Sequence, residues 1–123
     1  MANVNKSYGT GFETDVVDYL RGRNQVAARI ARTVPDEGDV VFGTPESGLF
    51  IAQLKANRDA NTSASLGSRL SAARGQRNQY CWARHLDERS AVPILVIKNP
   101  RKSIGKAFVV MYLEDFIDDT DCG

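Results

Sequence analysis

Apolar residues recur along this chain with two different periods, and the alternation between them predicts the order of elements. Phe12, Val16, Val17 and Leu20 return at the three- and four-residue steps of a helix. Thr10 and Glu13 stand at capping-box spacing, Ser7 is an alternative cap one turn earlier, and Gly22 is the expected stop. A period of two then takes over. Residues 25–31 read as a short edge strand, 33–38 as a turn and 39–42 as a strand. Residues 43–48 read as a hairpin loop and 49–55 as the returning strand, with Phe50, Ala52 and Leu54 on one face. Residues 57–65 are polar and are expected to form a mobile connection. Residues 66–86 suit a long helix despite Gly67 and Gly75. Two stripes compete there for burial: Leu70, Ala73, Tyr80 and Cys81, or Ala72, Gln79, Ala83 and Leu86. The pattern leaves that choice open. Residues 91–97 form the continuous apolar run of a buried strand, 99–105 turn the chain, 107–113 return as a strand, and 114–118 form a short helix. The expected order is α-β-β-β-α-β-β-α, an α/β domain over residues 1–123 with a mixed central sheet flanked by helices.

Composition narrows the class. The 123 residues are 42% hydrophobic and 25% charged, ordinary for one globular domain and foreign to disordered or collagen-like chains. No apolar run nears the ~20 residues of a membrane span, and the first residues lack a signal-peptide core. Cys81 and Cys122 make neither a disulfide framework nor a zinc pattern. A cytoplasmic chain is expected, in the host cytoplasm if its source is viral, with no membrane partner and no organic cofactor.

The formal net charge of +1 hides a segregated distribution. Residues 55–106 hold 11 Lys and Arg against three Asp and Glu, whereas residues 107–123 hold five acids and no base. A basic block of that size can neutralise phosphates along a nucleic acid. It can equally be a solvated helix face and a basic turn.

Three positions can carry chemistry. Glu13 lies in the first helix, Asp39 opens one hairpin arm, and Gln53-Leu54-Lys55 closes the other. Antiparallel pairing sets Asp39 beside Gln53 and Lys55, which share a strand face. Taken singly, each has a plainer reading: Glu13 a helix cap, Asp39 a turn acid, Lys55 a strand-end charge. His85 reads as a helix C-terminal base, and Tyr80, Cys81 and Trp82 as core or dimer packing.

The order of these motifs resembles the Holliday junction resolvases of the PD-(D/E)XK nuclease superfamily, in their short archaeal and phage form. The resemblance runs from Lys6-Ser7 and Gly11-Phe12-Glu13 through Gly38-Asp39-Val40-Val41 and the strand ending Gln53-Leu54-Lys55. More loosely, it continues through the Gln-containing helix, residues 92–98 and residues 108–116. It implies a restriction-endonuclease-like fold in which Glu13, Asp39, Gln53 and the Leu54 carbonyl hold Mg²⁺, with Mn²⁺ as a substitute. Lys55 would orient or deprotonate the attacking water, or stabilise charge on the scissile phosphate. Gln76 or Gln79 matches a family glutamine that contacts phosphate or water. The implied partners are a four-way DNA junction and a second copy in a homodimer. Lys6, Ser7, Arg58, Arg69, Arg74, Arg77, Lys98, Arg101 and Lys102 are the candidate DNA contacts.

Position 53 departs from the family, which has glutamate or sometimes aspartate there. An amide keeps one oxygen donor but loses the charge, so metal affinity and base strength should fall. Glu→Gln is also the isosteric change that traps a nuclease on uncut DNA. The resemblance therefore implies a glutamate in the natural protein and an inactivated copy here, or else a weakly active or purely binding protein. Three rival functions remain at this level: another structure-selective or nicking nuclease of the superfamily, a catalytically silent junction-binding module, or a protein-interaction domain with no DNA role.

Overall fold

The computed structural model describes residues 4–56 and 63–120. Helix α1 (Val4–Gly22) leads into strands β1 (Ala27–Arg29), β2 (Val40–Thr44) and β3 (Gly48–Lys55). Helix α2 (Ser63–Ala83), β4 (Ala91–Ile97), β5 (Phe108–Val110) and α3 (Leu113–Thr120) follow, with single 3₁₀ turns before β4 and β5. This is the order that the two periods predict. The sheet runs β1-β2-β3-β4-β5, antiparallel except for the parallel β3–β4 pair. A parallel pair needs a crossover connection, and α2 lies between its two strands in sequence.

Alternation along the strands assigns the two faces. Val40, Ala52, Leu54, Ile94 and Val96 pack with Phe12, Val16 and Val17 of α1. On the opposite face Leu49 and Ile51 meet Tyr80 and Cys81, and Leu95 and Ile97 meet Leu70 and Ala73. The first of the two competing α2 stripes is thus the buried one, while Ala72 and Ala83 are exposed. Gln53 and Lys55 continue the Leu49–Ile51 row, which puts them on the α2 side of β3.

Several expectations are corrected. α1 begins at Val4, so Thr10 is an interior helical residue and not the cap of a box with Glu13. The same helix does end at Gly22, as expected, and Asn24 (φ 64) just beyond it takes the left-handed turn: Gln25 N–H donates to the Leu20 carbonyl at 3.0 Å and Asn24 N–H to that of Arg21 at 3.1 Å. His85 (φ 57) closes α2 in the same way, with Leu86 N–H donating to the Cys81 carbonyl at 2.8 Å. Tyr80 and Cys81 are core residues, but Trp82 is exposed. The last strand is only Phe108–Val110. Of the connection expected at 57–65, Ser63–Ser65 already belong to α2, and the remainder lies outside the described residues. Among the described residues no helix is long and apolar enough to cross a membrane.

The hairpin sets the register on which the site depends. Gly43 (φ +93) sits where a β-carbon would overlap the Gly48 carbonyl oxygen. Val40 consequently pairs with Ala52, and Asp39, just before it, donates its N–H to the carbonyl of the same Ala52, next in the chain to Gln53.

Candidate active site

Asp39 immediately precedes β2 and is pinned from both neighbouring strands. Its N–H donates to the Ala52 carbonyl at 3.0 Å, and its carbonyl accepts the Ile30 N–H at 2.8 Å. Its Oδ2 accepts the Leu54 N–H at 2.8 Å. The preceding turn admits only glycine, because Gly38 has φ +102 and a β-carbon there would lie 2.9 Å from Ile51 Cγ2. Asp36 braces this turn: its Oδ1 accepts the Gly38 N–H at 2.9 Å and its Oδ2 accepts Gln76 Nε2 at 3.2 Å. Arg84 adds a second tie to α2 by donating to the buried Glu37 at 3.1 Å.

Glu13 reaches the same place from α1. Its Oε2 accepts both Arg29 Nε (3.1 Å) and Arg29 Nη2 (2.8 Å). Glu13, Asp39, Arg29 and Arg32 line one open cleft of about 450 Å³, together with Ile30 and Ala31. Burial raises the Asp39 carboxyl above the ordinary aspartate range. The Leu54 N–H pulls it back, the charges of Glu13 and Asp36 raise it, and Lys55 lowers it. Two further carboxylates, Glu13 and Asp36, and one lysine, Lys55, thus act on the Asp39 carboxyl.

Gln53 adds an anomaly. Its Oε1 is buried and accepts no hydrogen bond. A buried acceptor without a donor is costly by about 1–3 kcal/mol, and such atoms cluster where a ligand, ion or water belongs. Gln76 Oε1 is orphaned in the same way. Between the two candidate glutamines, Gln76 is therefore the one tied to the Asp39 turn, while Gln79 is half-buried on α2.

The candidate DNA contacts are scattered. Arg74 donates to Glu114 at 2.8 Å and lies 4.3 Å from the Tyr112 ring centroid. Arg77 donates to Asn78 Oδ1 at 2.6 Å and to the Ala91 carbonyl at 2.9 Å. Both arginines are engaged within the chain. Arg69 is half-buried on α2, and Lys98 follows β4, its N–H donating to the Lys55 carbonyl at 2.9 Å. Arg101 and Lys102 are exposed on the turn after β4. Lys6 and Ser7 fall within α1, and Arg58 lies outside the described residues. Sequence reasoning missed Arg29, Arg32 and Asp36. The signal was present, since a strand at 25–31 running antiparallel to 39–42 sets Arg29 opposite Val40, one residue from Asp39.

No protein-family model matches the chain, and no curated protein matches it. Among solved structures it is similar to the 1.6 Å structure of Archaeoglobus fulgidus Hjc. That protein is a Holliday junction resolvase from an archaeal hyperthermophile. Identity is 17%, the match covers 81% of this chain and 84% of the other, and the TM-score is 0.46.

The donor set answers whether a metal suits these residues. Hard cations such as Mg²⁺ take oxygen ligands, commonly one or two carboxylates plus waters. Glu13 and Asp39 supply two carboxylates, and Gln53, which follows the Ala52 whose carbonyl accepts the Asp39 N–H, supplies an unpartnered amide oxygen. The set is all oxygen and fits a hard cation. It is short of charge: among the described residues no three His, Cys, Asp or Glu gather closely enough to hold a metal.

Proposed function

We propose that this chain is a structure-selective DNA endonuclease of the PD-(D/E)XK resolvase type, acting on four-way junctions, with Gln53 standing where the reaction needs a carboxylate. The observation that carries this reading is the meeting of Glu13 and Asp39 in one arginine-lined cleft, with a buried, orphaned amide oxygen at position 53, the residue before the Leu54 whose N–H holds Asp39. Glu13, Asp39, the Gln53 amide oxygen and the Leu54 carbonyl would hold Mg²⁺ or Mn²⁺. Once bound, such a cation supplies an activated water and stabilises the leaving oxygen in phosphodiester hydrolysis.

The chain's own groups do the rest. The Leu54 N–H fixes one Asp39 oxygen and leaves the other outside that contact. Lys55, whose charge acts on Asp39, places a cation for the scissile phosphate or the attacking water. Arg29 and Arg32 offer guanidiniums to the flanking phosphates, which position the backbone without reading bases. Arg69, Lys98, Arg101 and Lys102 remain candidates for the outlying duplex arms.

The test is substrate choice by the Gln53→Glu chain in Mg²⁺. It should cut a four-way junction in preference to a flap or plain duplex. Equal cutting of all three would select a less discriminating nuclease of the same type. A second reading rests on the neutral amide itself: a junction-binding protein without catalysis. Tight, salt-sensitive junction binding with no cutting by Gln53→Glu would favour it.

A further inference from the structure

Asp39 takes its position from a turn, and that turn is held by groups outside the cleft. Glu37, two residues before Asp39, is the only polar or charged residue buried as a whole among the described residues, at 8% exposure. Its Oε1 accepts Arg84 Nη1 at 3.1 Å. Arg84 directly follows α2, and the same Nη1 donates to the Tyr80 carbonyl at 3.1 Å. The guanidinium carbon lies 3.7 Å from the Tyr80 ring centroid. Neither Glu37 nor Arg84 lines the cleft that Glu13 and Asp39 share.

These contacts close a ring. Tyr80 packs with Ile51 in the core on the α2 face of the sheet. Ile51 in turn backs Gly38, where a β-carbon would lie 2.9 Å from its Cγ2. Gly38 joins Glu37 to Asp39 in the chain. The circuit from Glu37 through Gly38, Ile51, Tyr80 and Arg84 therefore returns to Glu37. An exposed ion pair contributes little, but a buried carboxylate stripped of its cation is left uncompensated. Glu37 could then regain water only by moving the turn, and Asp39 would move with it.

We propose that Arg84, acting through Glu37, is a positioning residue for Asp39: it fixes the turn that presents the Asp39 carboxylate to the cleft. The consequence for a bound cation rests on the junction-cutting reading, whereas the positioning itself does not.

The Leu54 N–H, which donates to Asp39 Oδ2 at 2.8 Å, reports the place of that carboxylate without any catalysis. Heteronuclear NMR on the full chain at neutral pH, without metal, should show the Leu54 amide displaced and exchanging faster in Arg84→Met and in Glu37→Met. Glu37→Gln keeps an acceptor for Arg84 and should restore the parental Leu54 signal. Asp87→Ala removes a bond elsewhere, from the Arg89 N–H to Asp87 Oδ1 at 2.9 Å, and should leave Leu54 unchanged. Near-ultraviolet circular dichroism confirms that each variant is folded. Glu37→Met decides alone if Arg84→Met is not, because it leaves no buried charge behind. In the Gln53→Glu background, calorimetric titration should show Arg84→Met binding Mn²⁺ about tenfold more weakly, the scale of a lost outer-sphere partner. A Leu54 signal unmoved by the folded variants, one moved as much by Asp87→Ala, or Mn²⁺ bound equally well by Arg84→Met overturns the proposal. Failure of Gln53→Glu to bind Mn²⁺ with the pair intact would count against the nuclease reading instead, and the Leu54 signal would still decide the role of Arg84.

Discussion

The two edges of the sheet solve opposite problems. Toward the β1 edge, charged groups crowd together: Glu13 and Arg29 pair and Asp39 is held between strands, while on the central strand β3 Gln53 keeps an oxygen without a donor. At the β5 edge apolar side chains lie open, and the charges stand apart at the strand's two ends. Buried polar disorder and exposed apolar surface are both costs in an isolated chain. The first becomes sensible when a cation and phosphates arrive, whereas the second takes no part in that chemistry.

The largest expected effect breaks the first edge alone. In a Gln53→Glu background, Asp39→Asn should lower junction cleavage by roughly 10³-fold, the scale of several kcal/mol of metal-borne stabilisation. Single-turnover cutting measures it, and near-parental cutting would remove Asp39 from the chemistry. Next comes backbone geometry. Gly38→Ala places a β-carbon against Ile51 at positive φ, so it should cost about 1–3 kcal/mol by denaturant unfolding and displace Asp39.

These two sites also show how far the sequence could be read. Element order, the buried row of β4 and the approach of Asp39 to the end of β3, where it bonds Ala52 and Leu54, were legible because hydrophobic period and hairpin length determine them. The α1 start was not, since helical packing of Phe12 and Val16 says nothing about how far the helix extends before them. The end of α1 at Gly22 was legible, although the left-handed conformation that follows it falls on Asn24. Arg29 escaped notice because its role depends on which strand flanks β2. Arg74 and Arg77 could not be separated from DNA-facing cations until Glu114 and the Ala91 carbonyl were placed beside them.

Smaller changes separate the arginines of the two edges. Arg29→Ala should weaken junction binding about tenfold at low salt, while changing stability by less than about 1 kcal/mol, because its partner pair is partly exposed. Arg74→Ala, whose guanidinium serves Glu114, should leave junction affinity within about twofold and cost at most about 1 kcal/mol. Gel-shift titration and chemical unfolding of both variants check the contrast.

The smallest effect is on stability. Burial holds the folded-state pKa of Asp39 above its unfolded value, so ionising it costs the fold. That cost is absent below the ordinary carboxylate range and grows as pH rises through the raised folded value. Without metal, Asp39→Asn should therefore melt above the parent chain at neutral pH, with the gap closing in acid, as thermal unfolding at the two pH values would show.

The central claim is that position 53 lacks the charge the proposed active site needs. Its most direct test is paired cleavage of one four-way junction in Mg²⁺ by this chain and by Gln53→Glu. The account predicts that Gln53→Glu cuts symmetrically and at least about 10²-fold faster than this chain. Equal inactivity of the two would contradict it.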